Sequence, residues 1–120
     1  MDYEFSIQSV SKPFTVSLIM AEQGPIAIRE KIGVEATGLP FNSKIAMELH
    51  PQRSVNPLVN AGAIAAVSLV EASSEKDRWH KVMRNISDYA GRHLQVLEEV
   101  YKSEYESSWG NRGIANLLYN

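Results

Sequence analysis

The stretch SVSKPFTVSLIMAE, residues 9–22, places a serine and a lysine three positions apart, directly before an apolar run. The run at 15–22 is apolar on nearly every side, which is typical of a helix buried in a protein core. A Gly-Pro pair follows and is expected to end that helix. We therefore expect the fold to form around this helix, with Ser9 and Lys12 at its start.

The Ser9/Lys12 spacing is compatible with an activated nucleophile, because residues three apart on a helical turn lie on one face. A serine hydroxyl attacks well only after a base takes its proton, and lysine is such a base only when neutral. Burial lowers a lysine pKa, and the free N–H groups at a helix start favour developing negative charge. A polar helix cap followed by an exposed lysine is the alternative that this spacing leaves open.

Ser-x-x-Lys is a weak motif taken alone, since it occurs a second time at Ser73 to Lys76. The second match lies in the polar stretch EASSEKDR, residues 71–78, with no apolar helix directly after it. For this match we predict a solvated loop and a helix cap. The two matches therefore differ in context and not in spacing.

The other chemically able side chains give weaker signals. His50, His80 and His93 are scattered without the spacing of metal ligands, so we predict surface or packing roles and no metal site. Glu104 and Asn111 are seven positions apart and would share a face on a continuous helix. Such a pair could bind the ammonium and carboxylate groups of an amino acid, although a solvated helix face fits the pattern equally well.

The hydrophobic pattern of the whole chain is mostly helical, which predicts a mainly α fold in a single domain over residues 1–120. Trp79, Tyr89 and the apolar residues between them form a stripe at helical spacing, and we predict both rings in the core. YEFSIQ, residues 3–8, is the one weak strand candidate. Further helices are expected at 26–32, closed by Gly33, at 57–72, at 111–118 and, as a short segment capped by Ser43, at 43–49.

Composition excludes several classes of function. The 120 residues carry a formal charge of −2 with 22% charged and 44% hydrophobic residues and no cysteine. Without a basic run, neither nucleic acid nor an anionic membrane is an expected partner. The start MDYEFSIQ is acidic, unlike a signal peptide, and the longest apolar stretch, residues 61–70, is about half of a membrane span. We expect a cytoplasmic protein.

Four blocks in this order give the chain a family resemblance: FSIQSVSKPF, GVEATGLPFNS, NPLVNAGAI and VYKSEYES followed by NRGIANLL. Together they span residues 5–118 and resemble the serine-dependent glutaminases, amidohydrolases of serine β-lactamase-like fold. The resemblance implies that Ser9 is the acylated nucleophile and Lys12 its general base. It also implies that Asn42, Glu104 and Asn111 bind the substrate L-glutamine, with Ser9, and that no metal or organic cofactor is required.

The chain departs from the family pattern at two positions. Ala36 stands where a proline is usual, and Gly110 stands where an arginine usually precedes the binding asparagine. The family chain is also longer, with further tyrosines and a sheet strand that contributes to the oxyanion hole. We therefore expect the helical half of an α+β fold, an incomplete domain inactive on its own, whose exposed apolar face favours a homo-oligomer.

Two other functions remain open at this point. A penicillin-recognising acyl-enzyme shares Ser-x-x-Lys, but the sequence contains neither Ser-Asp-Asn nor Lys-Thr-Gly after it. A non-catalytic helical remnant that packs on a partner is the third interpretation. Release of ammonia from glutamine, compared with turnover of a β-lactam reporter, distinguishes the first two.

Overall fold

The structure is a computed structural model that describes residues 3–43 and 56–119. These residues form helices and no strand, and residues 3–7 are irregular. That they are the helical half of a larger α+β fold stays a prediction. The elements are a 3₁₀ turn at Gln8–Ser11, then α1 Lys12–Lys31, α2 Asn60–Leu69, α3 Glu75–Ala90, α4 Glu98–Glu106 and α5 Trp109–Tyr119.

Helix α1 is two helical segments joined at a kink. Gly24 has a φ of 79° and a ψ of 170°, which no helix permits, and Pro25 begins the second segment. The expected stop at the Gly-Pro pair is therefore confirmed. The second segment ends at Lys31, with Ile32 as its C-cap. Gly33 then adopts a φ of 103°, and its N–H donates to the carbonyl of Ile28 at 3.0 Å. A glycine is suited to this position because it adopts positive φ without steric cost.

The core lies between the two segments of α1 and helix α2. Ile19 and Ile32 are fully buried and pack with Ile28, Ala66 and Val70. Helix α1 contacts both α2 and α3, and α2 contacts α5. Small side chains on α2 allow these close approaches, as the sequence pattern of that helix indicates. Burial of this cluster fixes the position of α2 relative to the start of α1.

Helix α3 corrects the prediction made for its apolar stripe. Ile86 is buried and Val82 packs against the core, but Trp79 is 51% exposed and Tyr89 is 60% exposed. The physical reason is that the stripe packs against the core at Val82, near its middle, while the two rings at its ends stay largely in contact with solvent. The Tyr89 ring still contacts the ring of Phe14, with centroids 5.0 Å apart.

Polar contacts hold α3 against the first segment of α1. The Asn85 amide donates to the carbonyl of Phe14 at 2.8 Å. Lys81 forms an ion pair with Glu22 at 3.3 Å. These bonds lie at both ends of the segment that begins with Lys12, so the start of α1 has a defined position.

Two of the sequence-based expectations concern residues outside the described ranges. The short segment expected after Ser43 and the side chain of His50 both fall there. Over the ranges that are described, no helix combines the length and the apolarity needed to cross a bilayer.

Gly62 should tolerate no larger residue. A β-carbon at this position would lie 1.7 Å from the backbone oxygen of Asn56 and 2.5 Å from its carbonyl carbon. Because backbone atoms cannot move aside as a side chain does, Gly62→Ala is expected to lower the free energy of unfolding by about 1–3 kcal/mol. Urea denaturation followed by far-UV circular dichroism measures this change.

Gly113→Ala is the matched control for this substitution. Gly113 lies inside α5, and a β-carbon there meets no atom within 4 Å. Replacing a helical glycine by alanine at an open position should raise the free energy of unfolding by up to about 1 kcal/mol. Equal effects of the two substitutions would contradict the close packing at Gly62.

Candidate active site

Ser9 lies in the 3₁₀ turn directly before α1. Its side chain is exposed, and its carbonyl accepts the backbone N–H of Lys12. Gln8, the residue before it, has a φ of 47°, which is rare for any residue other than glycine. Such a conformation costs on the order of 1–3 kcal/mol and is enriched at active sites and ligand-binding loops. The sequence pattern gave no sign of this strain beside the candidate nucleophile.

Lys12 is half-buried at the first position of α1, so the alternative of a freely exposed lysine does not hold. Its ammonium donates to Asn60 Oδ1 at 2.7 Å and lies 5.3 Å from the ring centroid of Phe41. Among the described residues it makes no hydrogen bond to the Ser9 hydroxyl. Burial lowers the pKa of Lys12 because it disfavours the charged form. A larger share of this amine is therefore neutral at a given pH than of a free lysine.

Asn60 connects the lysine to the far end of the chain. It is the first residue of α2, and its backbone N–H donates to the carbonyl of Phe41 at 2.9 Å. Its side-chain amide donates to Asn111 Oδ1 at 3.2 Å, while its own oxygen accepts from Lys12. Sequence reasoning assigned Asn60 no role. The available signal was a single polar residue at the start of a run of small and apolar residues.

Glu104 and Asn111 do not share one helix, which corrects the expectation of a common helical face. Helix α4 ends at Glu106, Ser107 has non-helical angles, and α5 begins at Trp109. The Ser107 hydroxyl donates to the carbonyl of Ser103 at 2.9 Å, which satisfies a free carbonyl at the end of α4. The chain therefore turns between the two residues.

A single cavity of about 710 Å³ nevertheless brings these residues together. Its volume lies in the range of sites for small molecules. Apolar residues of α2 form one wall. The polar residues that line it are Gln8, Ser9, Ser11, Lys12, Thr15, Asn60, Glu104 and Asn111. The cavity thus combines three hydroxyls, an amine of lowered pKa, three carboxamides and one carboxylate, a set that includes the groups needed to bind an amino acid beside a nucleophile.

Asn42 is exposed and does not line this cavity, although its neighbour Phe41 does. The predicted part of Asn42 in substrate binding stays a prediction, whereas Asn60 and Asn111 do line the cavity. His80 and His93 are exposed on and after α3. Over the described residues, His, Asp and Glu form no group of three or more that could hold a metal ion.

The second Ser-x-x-Lys match is a helix cap. The Ser74 hydroxyl accepts the backbone N–H of Asp77 at 3.1 Å at the start of α3. The backbone N–H and the hydroxyl of Ser73 both donate to the Asp77 carboxylate. These bonds, the backbone one first, lower the pKa of Asp77. Lys76 is exposed, and the prediction of a solvated cap is confirmed.

Comparison with known proteins gives one consistent family. A family model described as Glutaminase matches residues 1–120. A glutaminase of Colwellia psychrerythraea is 56% identical over 114 residues, which are 95% of this chain and 37% of that protein. A glutaminase of Brucella canis is 50% identical over 119 residues, or 99% of this chain and 38% of that protein. The chain thus spans little more than a third of these relatives.

Solved structures give the same result at the level of the fold. The probable glutaminase ybaS superposes with a TM-score of 0.94 at 45% identity, over 98% of this chain and 38% of that one. A probable glutaminase of Bacillus subtilis superposes with a TM-score of 0.89 at 30% identity, over 96% of this chain and 37% of that one. With the family model matched from the first residue to the last, the chain belongs to the glutaminase family.

Proposed function

We propose that residues 1–120 supply the nucleophile and the amino-acid-binding groups of an enzyme that hydrolyses L-glutamine to L-glutamate and ammonia. The observation that carries this proposal is the single cavity lined by Ser9, Lys12, Glu104 and Asn111, in a chain of the glutaminase family. The same family membership favours a linear amide over a β-lactam as substrate.

In the proposed reaction, neutral Lys12 takes the proton of Ser9, and Ser9 Oγ bonds to the carbon of the side-chain carboxamide. The carbon–nitrogen bond breaks, and the nitrogen leaves as ammonia with the proton returned by the lysine. The product is a γ-glutamyl ester on Ser9. Water then cleaves the ester, releasing glutamate and restoring the hydroxyl.

The remaining polar groups of the cavity suit the other end of the substrate. The Glu104 carboxylate can accept hydrogen bonds from an α-ammonium group, and the amide of Asn111 can donate to an α-carboxylate. Asn60 would hold Lys12 and Asn111 in fixed relation, since it is hydrogen bonded to both. Substrate binding and proton transfer would then depend on one connected set of side chains.

These roles can be tested in a chimaera, defined here as the Colwellia psychrerythraea glutaminase with its matched segment replaced by residues 1–120. Release of ammonia from L-glutamine, set against turnover of a chromogenic β-lactam, tests the proposed function. Turnover of the β-lactam alone, or of neither compound, would count against it.

Ser9→Ala and Lys12→Ala are each expected to lower kcat of the chimaera by about a thousandfold or more, because nucleophile and base act as one unit. Ser73→Ala and Lys76→Ala are the matched controls, with the same residue types at the same spacing. These two should change kcat by less than about twofold, since they affect only a helix cap. Similar losses in both pairs would show that the wrong serine and lysine had been chosen.

Glu104→Gln should raise KM for L-glutamine by about tenfold or more, with the protein still folded, because a charge-assisted hydrogen bond becomes a neutral one. Steady-state kinetics and far-UV circular dichroism measure the two quantities. Glu106→Gln, at the exposed end of the same helix, is the control. An unchanged KM in a folded Glu104→Gln protein would remove Glu104 from the substrate site.

Residues 1–120 on their own are expected to release ammonia at least about a hundredfold more slowly than the chimaera. The resemblance assigns one oxyanion donor to a strand outside this chain, and loss of one donor costs about 10²–10³ in rate. Exposed apolar side chains such as Tyr3, Phe5 and Trp109 should also drive self-association. Light scattering gives the mass, and rapid turnover by a monodisperse monomer would contradict both expectations.

A further inference from the structure

Arg112 stacks on two aromatic rings across the break between α4 and α5. Its guanidinium carbon lies 4.3 Å from the ring centroid of Tyr105, on α4, and 5.6 Å from that of Trp109, the first residue of α5. A guanidinium within about 6 Å of a ring centroid is attracted to the negative face of the ring. One cation therefore connects the end of one helix to the start of the next.

The position of this contact relates it directly to the candidate site. Tyr105 follows Glu104 in the sequence, and Arg112 follows Asn111. The Arg112 side chain does not itself line the cavity, whereas Glu104 and Asn111 do. Any effect of Arg112 on substrate binding must therefore be indirect, through the positions of Glu104 and Asn111.

Little else in the described residues fixes α4 relative to α5. Helix α4 has no buried residue. Gly110, in the first turn of α5, has open space where a β-carbon would lie, and glycine weakens a helix start. The Ser108 hydroxyl and backbone N–H donate to the carbonyl of Tyr105 at 2.7 and 3.3 Å, and the Arg112 N–H donates to the carbonyl of Ser108 at 2.9 Å, so these bonds are local to the turn. The Arg112–Tyr105 contact adds a side-chain contact between the two helices.

We propose that Arg112 is a positioning residue, and that its stacking on Tyr105 and Trp109 holds Glu104 and Asn111 at the separation that binds the amino-acid end of the substrate. The inference rests on the proposed function for the identity of that substrate. The stacking itself is a property of the chain and can be measured without any activity.

The first measurement is nuclear magnetic resonance of the chimaera with isotope-labelled arginine side chains, since residues 1–120 alone are expected to self-associate. Protons held over the faces of aromatic rings resonate upfield, so the side-chain δ and ε protons of Arg112 should lie upfield of those of Arg84, an exposed arginine of α3. Tyr105→Leu and Trp109→Leu should each move the Arg112 signals partly back. Arg112 signals equal to those of Arg84, or unmoved by both substitutions, would overturn the proposal whatever the enzyme does.

The second measurement uses the chimaera and separates positioning from general stability. Arg112→Gln should raise KM for L-glutamine about three- to tenfold with kcat within twofold, and Arg112→Lys, which keeps the cation, should recover part of the loss. For 4-carbamoylbutanoate, which lacks the α-amino group that Glu104 would bind, KM should change less. Arg84→Gln is the control.

The outcomes keep the two proposals distinct. A chimaera that hydrolyses glutamine with the same KM in Arg112→Gln retains the proposed function and loses this inference. A fall in kcat and in thermal stability together, with equal effects on both substrates, would make Arg112 a purely structural residue and also overturn it. If the chimaera hydrolyses no glutamine, the proposed function fails, and the nuclear magnetic resonance result alone decides whether Arg112 orders the two helices.

Discussion

The bond from the Lys12 ammonium to Asn60 Oδ1, at 2.7 Å, is the contact on which the arrangement of the site depends. A cation beside a packed core requires an acceptor, and Asn60 provides it from the start of another helix. The same side chain then uses its amide on Asn111. Helices α1, α2 and α5 thus meet at one carboxamide. The apolar core that includes Ile19 and Ile32 holds α1 and α2 against each other.

Local features of this fold were predictable because their causes are local. The Gly-Pro pair within α1 and Gly33 after it interrupt or end the helix through backbone preferences of these residues themselves. The cap at Ser73–Asp77 likewise follows from short-range hydrogen bonding. The apolar stripe of α3 was real, but the extent to which α1 covers it is a tertiary property. Trp79 and Tyr89 are exposed for that reason.

The site was only partly predictable for the same physical reason. Ser9 and Lys12 could be selected because an apolar helix follows them, and the family resemblance added Glu104 and Asn111. That these last two lie on separate helices could not be read from a spacing of seven, since Ser107 and Ser108 fit inside a helix as readily as between two. Asn60 was missed because its importance lies in contacts with residues 48 and 51 positions away.

These long separations also bear on how the molecule acquires its site. Contacts between distant residues form only after the entropy of closing the intervening loops has been lost, so they tend to form late. Helices α1, α3 and α5 can each gain structure before Lys12, Asn60 and Asn111 meet. A form of the chain that has its helices but lacks these contacts would show most of the helical signal without the cavity, so helix content is a poor measure of correct assembly.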